Sequence, residues 1–382
     1  MQKERTDAYS STTPSNERDS SQGRNWVALL GRRDEPTDGV EDYCKHLGQA
    51  LPQYGYSLTL VRVPWTEGGW LGKILWTWKE CAEWKNSQVL MQYTALSWSQ
   101  RGFPLGALAV LGILNLRCPG TAIVFHEFKR QVASGRWIDR VRGLCQDAVI
   151  RVLYRNATRA LFTVPIETIT WLPRDNRKAT FIPIGANIPE RMNPRQPTPD
   201  GREKTVIVFG VTGGKSMKPE IEAIISIMCD AKKSLSGLRL VVLGRGSSDA
   251  EKFLAPALRK NSVEVVAKGI LSAEKIACEL ESADAFLFVR GAVTSQRGSA
   301  IASIACGLPI VGYQDGCVNH PLDKAGVEWA PLGDWEALAR GLVRVLSNQR
   351  RWIELHDRNL RVQQSYLSWS RIAQQYLTVL SE

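Results

Sequence analysis

Apolar positions change their period within the first sixty residues of the chain. A continuous apolar run at residues 26–30 ends at Gly31, which is typical of a strand buried on both faces of a parallel sheet. From residue 40 to residue 51 the apolar positions recur every three or four residues and predict an amphipathic helix, and residues 58–61 form the next strand. A strand, a helix and a second strand in this order begin an α/β domain.

The same pattern continues as two series of strands separated by helical patterns. Apolar runs predict the further strands near residues 88–92, 121–125 and 160–164 and then near 205–209, 238–243, 263–266, 285–289 and 309–313. The proline-rich residues 183–199 separate the two series, and long helical patterns at 334–346 and 349–379 close the chain. The predicted fold class is α/β, with two doubly wound, Rossmann-like domains facing each other across a cleft.

The boundaries of the segments follow from these patterns. Residues 1–24 are almost entirely polar, so we expect a disordered tail there. The remaining predicted segments are an amino-terminal Rossmann-like domain (25–190), a linker (191–203), a carboxy-terminal Rossmann-like domain (204–350) and final helices that cross back to the first domain (351–382).

Composition narrows the class of partner. The chain has 382 residues, more than one ordinary core accommodates, and a net charge of +11 that favours phosphates, nucleotides, anionic lipid or nucleic acid as partners. The basic residues form no recognised nucleic-acid module, so we expect no nucleic-acid partner.

Cysteines and hydropathy bear on location. The eight cysteines are spaced singly without a Cys-x-x-Cys pair, which argues against a metal site or a disulfide framework and favours a reducing cytoplasm. No run of about 18 apolar residues is present, so we expect membrane contact only at the surface.

Four candidate residues follow predicted strands along the chain. Asp38 and Gly39 stand where a helix begins, and backbone N–H groups at a helix start attract anions; the alternative is that Asp38 only caps the helix. His126 follows the strand at 121–125, where side chains reach a cleft, although a histidine hydrogen-bonded within a loop explains the same position. Arg101 suits an anionic acceptor group or is a solvated loop charge.

Six stretches occur in an informative order. They are Asp38-Gly39-Val40-Glu41-Asp42-Tyr43, Phe125-His126-Glu127 and residues 181–189, 205–210, 241–246 and 305–311. In order and spacing they resemble the two-domain glycosyltransferases of the GT-B fold, family 4 in particular, from about Trp26 to the C-terminus. The resemblance implies transfer of a hexosyl group from a nucleotide-sugar to a sugar or lipid-linked acceptor, in cell-surface polysaccharide or glycolipid synthesis.

The resemblance also implies details of the reaction and the roles of particular residues. It implies retention of configuration, no cofactor and no metal, because basic side chains and a helix dipole offset the charge of the leaving diphosphate. The implied roles are catalysis by His126, acceptor binding by Asp38 and Arg101, and binding of the donor phosphate and sugar by Gly39, Lys215, Arg297, Gly298 and Ser299.

The chain departs from the family pattern at three positions. Family 4 enzymes place two glutamates eight positions apart before the Cys-Gly pair, where this chain has Thr294 and Ala302. The usual arginine of the first carboxy-domain loop is Val211. A catalytically inactive protein that binds a nucleotide-sugar or acts as a scaffold therefore stays open as an alternative. A GT-B epimerase is a further alternative that would need acid and base carboxylates, for which the chain offers Asp34, Glu35 and Glu127.

Basic and aromatic residues in the first half suit an anionic membrane surface. The basic residues that would share one helical face are Arg140, Arg151, Arg155 and Arg159, and the aromatic cluster is Trp65, Trp70, Trp76, Trp78 and Trp84. They favour peripheral contact with the inner face of the membrane. Buried aromatic packing beneath a solvated arginine face explains the same residues.

Overall fold

The structure of this protein is a computed structural model. It describes residues 24–34, 38–64, 70–118, 120–130, 137–189, 195–199, 201–211, 217–316 and 318–381. Nearly all of the predicted tail, and residues 191–194 and 200 of the predicted linker, lie outside this part of the chain.

The amino-terminal half forms one six-stranded sheet with every adjacent pair parallel. Its strands are β1 (Arg24–Leu30), β2 (Tyr56–Arg62), β3 (Gln88–Tyr93), β4 (Thr121–Phe125), β5 (Arg159–Phe162) and β6 (Ala179–Phe181). Its helices are α1 (Gly39–Ala50), α2 (Trp70–Glu80), α3 (Leu105–Arg117) and α4 (Trp137–Asn156). The strand order is β2-β1-β3-β4-β5-β6.

Both faces of this sheet are buried, as the continuous apolar run of β1 predicts. Val27 and Leu29 pack into a core that includes residues of α3 and α4, whereas Ala28 and Leu30 pack into a second core that includes residues of α1. Alternate residues of a strand point to opposite faces, so an unbroken apolar strand needs helices on both sides.

The carboxy-terminal half repeats the arrangement with a second parallel sheet in the order β12-β11-β10-β7-β8-β9. Its strands are β7 (Lys204–Phe209), β8 (Leu238–Leu243), β9 (Glu264–Gly269), β10 (Ala285–Ala292), β11 (Ile310–Gln314) and β12 (Val327–Pro331). The helices that follow β7 are α5 (Met217–Lys232), α6 (Ser247–Arg259), α7 (Ala273–Ser282), α8 (Gly298–Ala305), α9 (Trp335–Ser347), α10 (Gln349–Val362) and α11 (Trp369–Ser381). The predicted α/β class with two Rossmann-like domains is confirmed.

The single helical pattern predicted at 349–379 is wrong in one respect. A π-helical turn at Gln363–Leu367 and an extended Ser368 separate α10 from α11. After this break α11 packs on the first domain, where the Tyr376 and Tyr43 hydroxyls are 2.8 Å apart and the Trp369 indole donates to the Ala186 carbonyl at 2.8 Å. The change of direction joins the end of the chain to α1.

The predicted basic stripe and tryptophan cluster are also corrected. Arg159 lies in β5 rather than on the helix with the other three arginines. Trp84 is buried and Trp76 is half-buried, whereas Trp78 is exposed and Trp65 lies outside the described residues. Part of the tryptophan cluster therefore belongs to the core beneath the surface helices.

Candidate active site

A cavity of ≈ 580 Å³ lies at the carboxyl ends of the first sheet's strands. Its walls come from the β1–α1 and β3–α3 loops and from the ends of β4 and β5, with Gln296 and Gly298 contributed by the second domain. The cavity therefore lies between the domains, at the edge where ligands of parallel sheets bind.

Gly31 allows two loops to meet on one side of this cavity. A Cβ at Gly31 would lie 2.5 Å from the Ser97 carbonyl oxygen, closer than packed atoms approach. The adjacent Arg32 amide donates to the same oxygen at 2.6 Å. Only glycine permits this contact, which holds Arg32 at the cavity wall.

Asp38 caps α1 at the cavity edge. Its Oδ1 accepts from the amides of Val40 and Glu41, both at 3.1 Å, and its Oδ2 accepts from Arg62 Nη2 at 3.1 Å. Arg62 also donates to the Glu41 carboxylate at 2.7 Å. These bonds give Asp38 the capping role that the sequence left open, while its acceptor-binding role stays a prediction.

Gly39 is the first residue of α1 and lines the cavity. No heavy atom that would obstruct a Cβ lies within 4 Å of that position among the described residues. The backbone at this helix start is therefore open to a ligand, as an anion site requires.

His126 follows β4 and lines the cavity wall. Its Nε2 is 2.8 Å from the side-chain oxygen of Gln92, and the amide nitrogen of Gln92 donates to the Leu90 carbonyl at 3.3 Å. Because the oxygen of Gln92 accepts, the ring proton lies on Nε2 and Nδ1 is an acceptor. The Tyr43 ring makes an edge contact with the imidazole, with centroids 5.2 Å apart.

The imidazole is neutral near pH 7. Burial lowers the pKa of His126 to about 4, although the Asp38 carboxylate acts in the opposite direction. Burial also raises the pKa of the neighbouring Glu127, whose carboxylate accepts from the Ala95 amide at 2.8 Å. These two residues therefore supply a neutral ring and a carboxyl group that holds the β3–α3 loop.

The turn before α8 joins the domains at His126. Gln296 donates to the His126 carbonyl oxygen at 2.6 Å and to the Thr163 hydroxyl at 3.2 Å. Gly298 is the first residue of α8 and lines the cavity, so the start of this helix lies beside the end of β4. The first amides of a helix have no acceptor within the helix, which makes this position suitable for an anion.

Two arginines lie beside this helix start. Burial, and next the positive charge of Arg290, lowers the pKa of Arg297, while the Glu220 carboxylate acts in the opposite direction. A Cβ at Gly210, at the end of β7, would lie 2.8 Å from Arg290 Nη1. Arg290 Nε is buried and has no hydrogen-bond partner among the residues that the structure describes.

This arginine pair lies where the strand order reverses. β10 pairs with β7, and the two strands are followed by helices α8 and α5, so their carboxyl ends border the crevice typical of doubly wound sheets. Two neighbouring guanidinium groups repel each other, and an anion between them would offset that repulsion.

The other predicted residues are less closely grouped. Arg101 lines a second cavity of ≈ 510 Å³, which shares Arg32, Ser97 and Gln100 with the first. Ser299 is the second residue of α8 but is not part of the main cavity wall. Lys215 lies outside the described residues.

Known structures share this architecture, although no protein-family profile and no curated protein matches the sequence. Sucrose-phosphate synthase from Thermosynechococcus elongatus is similar with a TM-score of 0.64 at 16% identity, over 94% of this chain and 98% of that one. HepE of Anabaena, solved with UDP and glucose, gives 0.61 at 13% identity, over 94% and 99%. The lipopolysaccharide glycosyltransferase WaaG gives 0.60 at 12% identity, over 93% and 100%. The chain has the GT-B fold.

The structure shows several candidate residues that the sequence patterns did not single out. Arg32 lies two residues after the end of β1, so its position close behind a buried strand was a usable signal. Arg62 and Gln92 lie at the ends of predicted strands and gave the same kind of signal, which was not used. Gln296 gave no such signal, because its place at the cavity depends on packing between distant segments. Arg290 is hidden within an otherwise apolar strand.

The described part of the chain lacks two further features. It contains no group of three or more His, Cys, Asp or Glu residues placed to hold a metal ion. No helix within it is both long enough and apolar enough to cross a bilayer.

Proposed function

We propose that this protein is a glycosyltransferase that moves a sugar from a nucleoside-diphosphate sugar to an acceptor hydroxyl. The observation that carries the proposal is the bond between Gln296 and the His126 carbonyl, because it holds the arginine-flanked start of α8 against the end of β4. A diphosphate bound at α8 would then present its sugar to His126.

The diphosphate would be bound by the carboxy-terminal domain. In this proposal Arg290 and Arg297 donate to its oxygens, and the amides of Gly298 and Ser299 add the helix dipole. These groups also stabilise the negative charge that develops on the leaving diphosphate, so we propose a reaction that needs no metal and no cofactor.

The sugar would lie in the main cavity. We propose that Nδ1 of the neutral His126 ring accepts a hydrogen bond from a sugar hydroxyl, and that Gly39 lets the ligand approach the backbone of α1. The bond between the anomeric carbon and the diphosphate oxygen breaks, a bond to the acceptor oxygen forms, and the acceptor's proton leaves on the diphosphate. We propose retention of configuration.

The acceptor would enter beside the second cavity. Arg101 lines that cavity, and Arg32 lies on the walls of both, so an anionic acceptor group has two cationic neighbours there. WaaG acts in lipopolysaccharide biosynthesis. We propose an acceptor of cell-surface polysaccharide or glycolipid synthesis, handled in the cytoplasm.

A catalytically inactive binding or scaffold protein is the second candidate. Thr294 and Ala302 stand where family 4 enzymes have glutamates, and this departure favours the second candidate over an enzyme. The enzyme and an inactive binding protein both require nucleotide-sugar binding, whereas a scaffold does not, and only the enzyme requires turnover.

The experiment begins with a thermal-shift screen of UDP-, GDP-, ADP- and dTDP-sugars. Any nucleotide-sugar that stabilises the protein is then tested for hydrolysis and for transfer to lipid-linked and free sugars. We expect His126→Ala to lower turnover at least ~100-fold, the scale of a lost transition-state contact. Its affinity for the free nucleoside diphosphate should be unchanged, because that group binds the other domain.

Each outcome has a separate meaning. Binding of a nucleotide-sugar without hydrolysis or transfer would favour the inactive binding protein. Normal turnover in His126→Ala would remove this residue from the site. Absence of any nucleotide or nucleotide-sugar binding would overturn the enzyme and the inactive binding protein and leave only the scaffold.

A further inference from the structure

Exposed apolar side chains are concentrated on one helical layer of the first domain. Of fourteen large apolar side chains that are exposed in the described part of the chain, nine lie on α2, α3 and α4. They are Leu71, Leu75, Trp78, Leu105, Leu116, Trp137, Val141, Leu144 and Val152. The sheet separates this α2–α4 layer from α1 and α11.

The outward face of α4 shows the feature most clearly. Trp137, which is 75% exposed, and Leu144, which is 64% exposed, share this face with Val141. The opposite face packs Val149 and Leu153 into the core. A surface helix ordinarily turns polar residues outward, so large apolar side chains on the outward face indicate a second apolar environment.

The exposed charged residues of this layer are all basic. The exposed charged residues of the three helices are Lys79, Arg140, Arg151 and Arg155. The acidic residues of the same helices, Glu80, Asp139 and Asp147, are buried or half-buried. Asp139 is paired with Arg142 at 2.6 Å, and Asp147 is 3.9 Å from Arg130.

We propose that the α2–α4 layer docks on an anionic phospholipid bilayer. Leucine and tryptophan side chains would enter the boundary between headgroups and acyl chains, and the exposed arginines would bind lipid phosphates. A second copy of the chain is disfavoured as the occupant, because a two-fold interface would bring four like charges of each copy together. An anionic surface removes that repulsion.

The docked surface would adjoin the acceptor cavity. Arg142 of α4 donates to the Arg101 carbonyl at 2.7 Å, so the start of this helix holds the loop that lines the second cavity. A lipid-linked acceptor could then pass from the bilayer into the cleft. This last step rests on the proposed function, whereas docking itself does not.

The test is sedimentation of the full chain with vesicles of phosphatidylcholine alone or mixed with phosphatidylglycerol. We expect binding to the mixed vesicles that weakens as salt is raised. Removing three arginines with R140Q, R151Q and R155Q should weaken binding roughly 100-fold, from about 1 kcal/mol for each basic residue near an anionic surface.

Matched variants separate this face from net charge and general hydrophobicity. The charge control replaces three exposed basic residues of the second domain, Arg259, Lys260 and Arg350, with glutamine. The apolar pair is L144Q against F253Q, since Phe253 is 56% exposed on α6. All of these side chains are exposed, so circular dichroism should show that each variant folds.

The outcomes support or overturn the proposal without depending on turnover. Loss of binding in the α4 variants with normal binding in both controls supports it. An equal loss of binding in the charge control would show that binding depends only on net charge, which would overturn the proposal. Absence of binding to anionic vesicles would also overturn it. If the chain forms a dimer that R140Q, R151Q and R155Q alter, the layer is an interface with a second copy, which would overturn it as well. Vesicle binding without nucleotide binding would leave docking intact and remove only the proposed function.

Discussion

Replacing Arg290 with glutamine should separate stability from nucleotide binding. Arg290 Nε is buried without a partner among the described residues, and its charge disfavours the charged form of Arg297. The substitution removes both of these unfavourable features. It also removes a donor that the proposed diphosphate would use.

We expect the substitution to raise stability and to lower nucleotide affinity. A buried donor without a partner costs about 1–3 kcal/mol, so we expect the free energy of unfolding to rise by about 1 kcal/mol after some loss of packing. A hydrogen bond to a charged group contributes about 1.5–3 kcal/mol, so affinity for a nucleoside diphosphate should fall roughly 10- to 150-fold.

Arg239 provides the matched control. Its Nε is also buried and has no hydrogen-bond partner in the described part of the chain, but it lies near the amino end of β8. The carboxyl end of that strand is four residues away, roughly 13 Å at the rise of a strand. Arg239→Gln should therefore change stability in the same direction and leave nucleotide affinity unchanged.

The assays are urea denaturation and isothermal titration with UDP, GDP and ADP on all three proteins. Diphosphate affinity that is equal in the wild type and Arg290→Gln would refute the assignment of Arg290. A loss of affinity in Arg239→Gln of the same size would show that the effect is not local to the cleft.

Two further predictions concern the first domain. Burial lowers the pKa of His126 to about 4, whereas its pKa in the unfolded chain is about 6.5. Between these two values the unfolded chain binds more protons than the folded protein, so the free energy of unfolding falls as pH falls. From pH 7 to pH 5 the free energy of unfolding should drop about 2 kcal/mol less in His126→Gln than in the wild type, as measured by urea denaturation. Equal drops in the two proteins would contradict the lowered pKa of His126. A Cβ at Gly39 would meet nothing within 4 Å, so Gly39→Ala should keep or slightly raise the melting temperature. The same change should raise the KM for the donor about tenfold, because the ligand would approach the backbone there. An unchanged KM would argue against that approach.

Local sequence patterns determined most of the secondary structure. The unbroken apolar run of β1 and the periodic face of α1 were readable because burial on two faces and burial on one face leave different periods. The edge strands β6 and β12 were not predicted, because β6 has only three residues and the apolar run of β12 is interrupted by Glu328 and ends in a proline. The break at Gln363–Leu367 was also missed, since the residues on both sides keep a helical pattern.

The candidate site was only partly encoded in this way. Asp38, Gly39 and His126 follow predicted strands, so the position of each at a sheet edge could be inferred from its neighbours along the chain. The side chains that contact these residues could not be inferred in this way. Gln296 reaches the His126 carbonyl across 170 positions of sequence.

The tertiary structure alone decided the arginine pair. Arg290 lies against Gly210 because β10 is placed beside β7, and that strand order depends on how two faces of helices pack around one sheet. Periodicity specifies which side of an element is buried but not which element covers it. The sequence by itself thus determined the elements and the class of fold, and long-range packing determined which charges share the cleft.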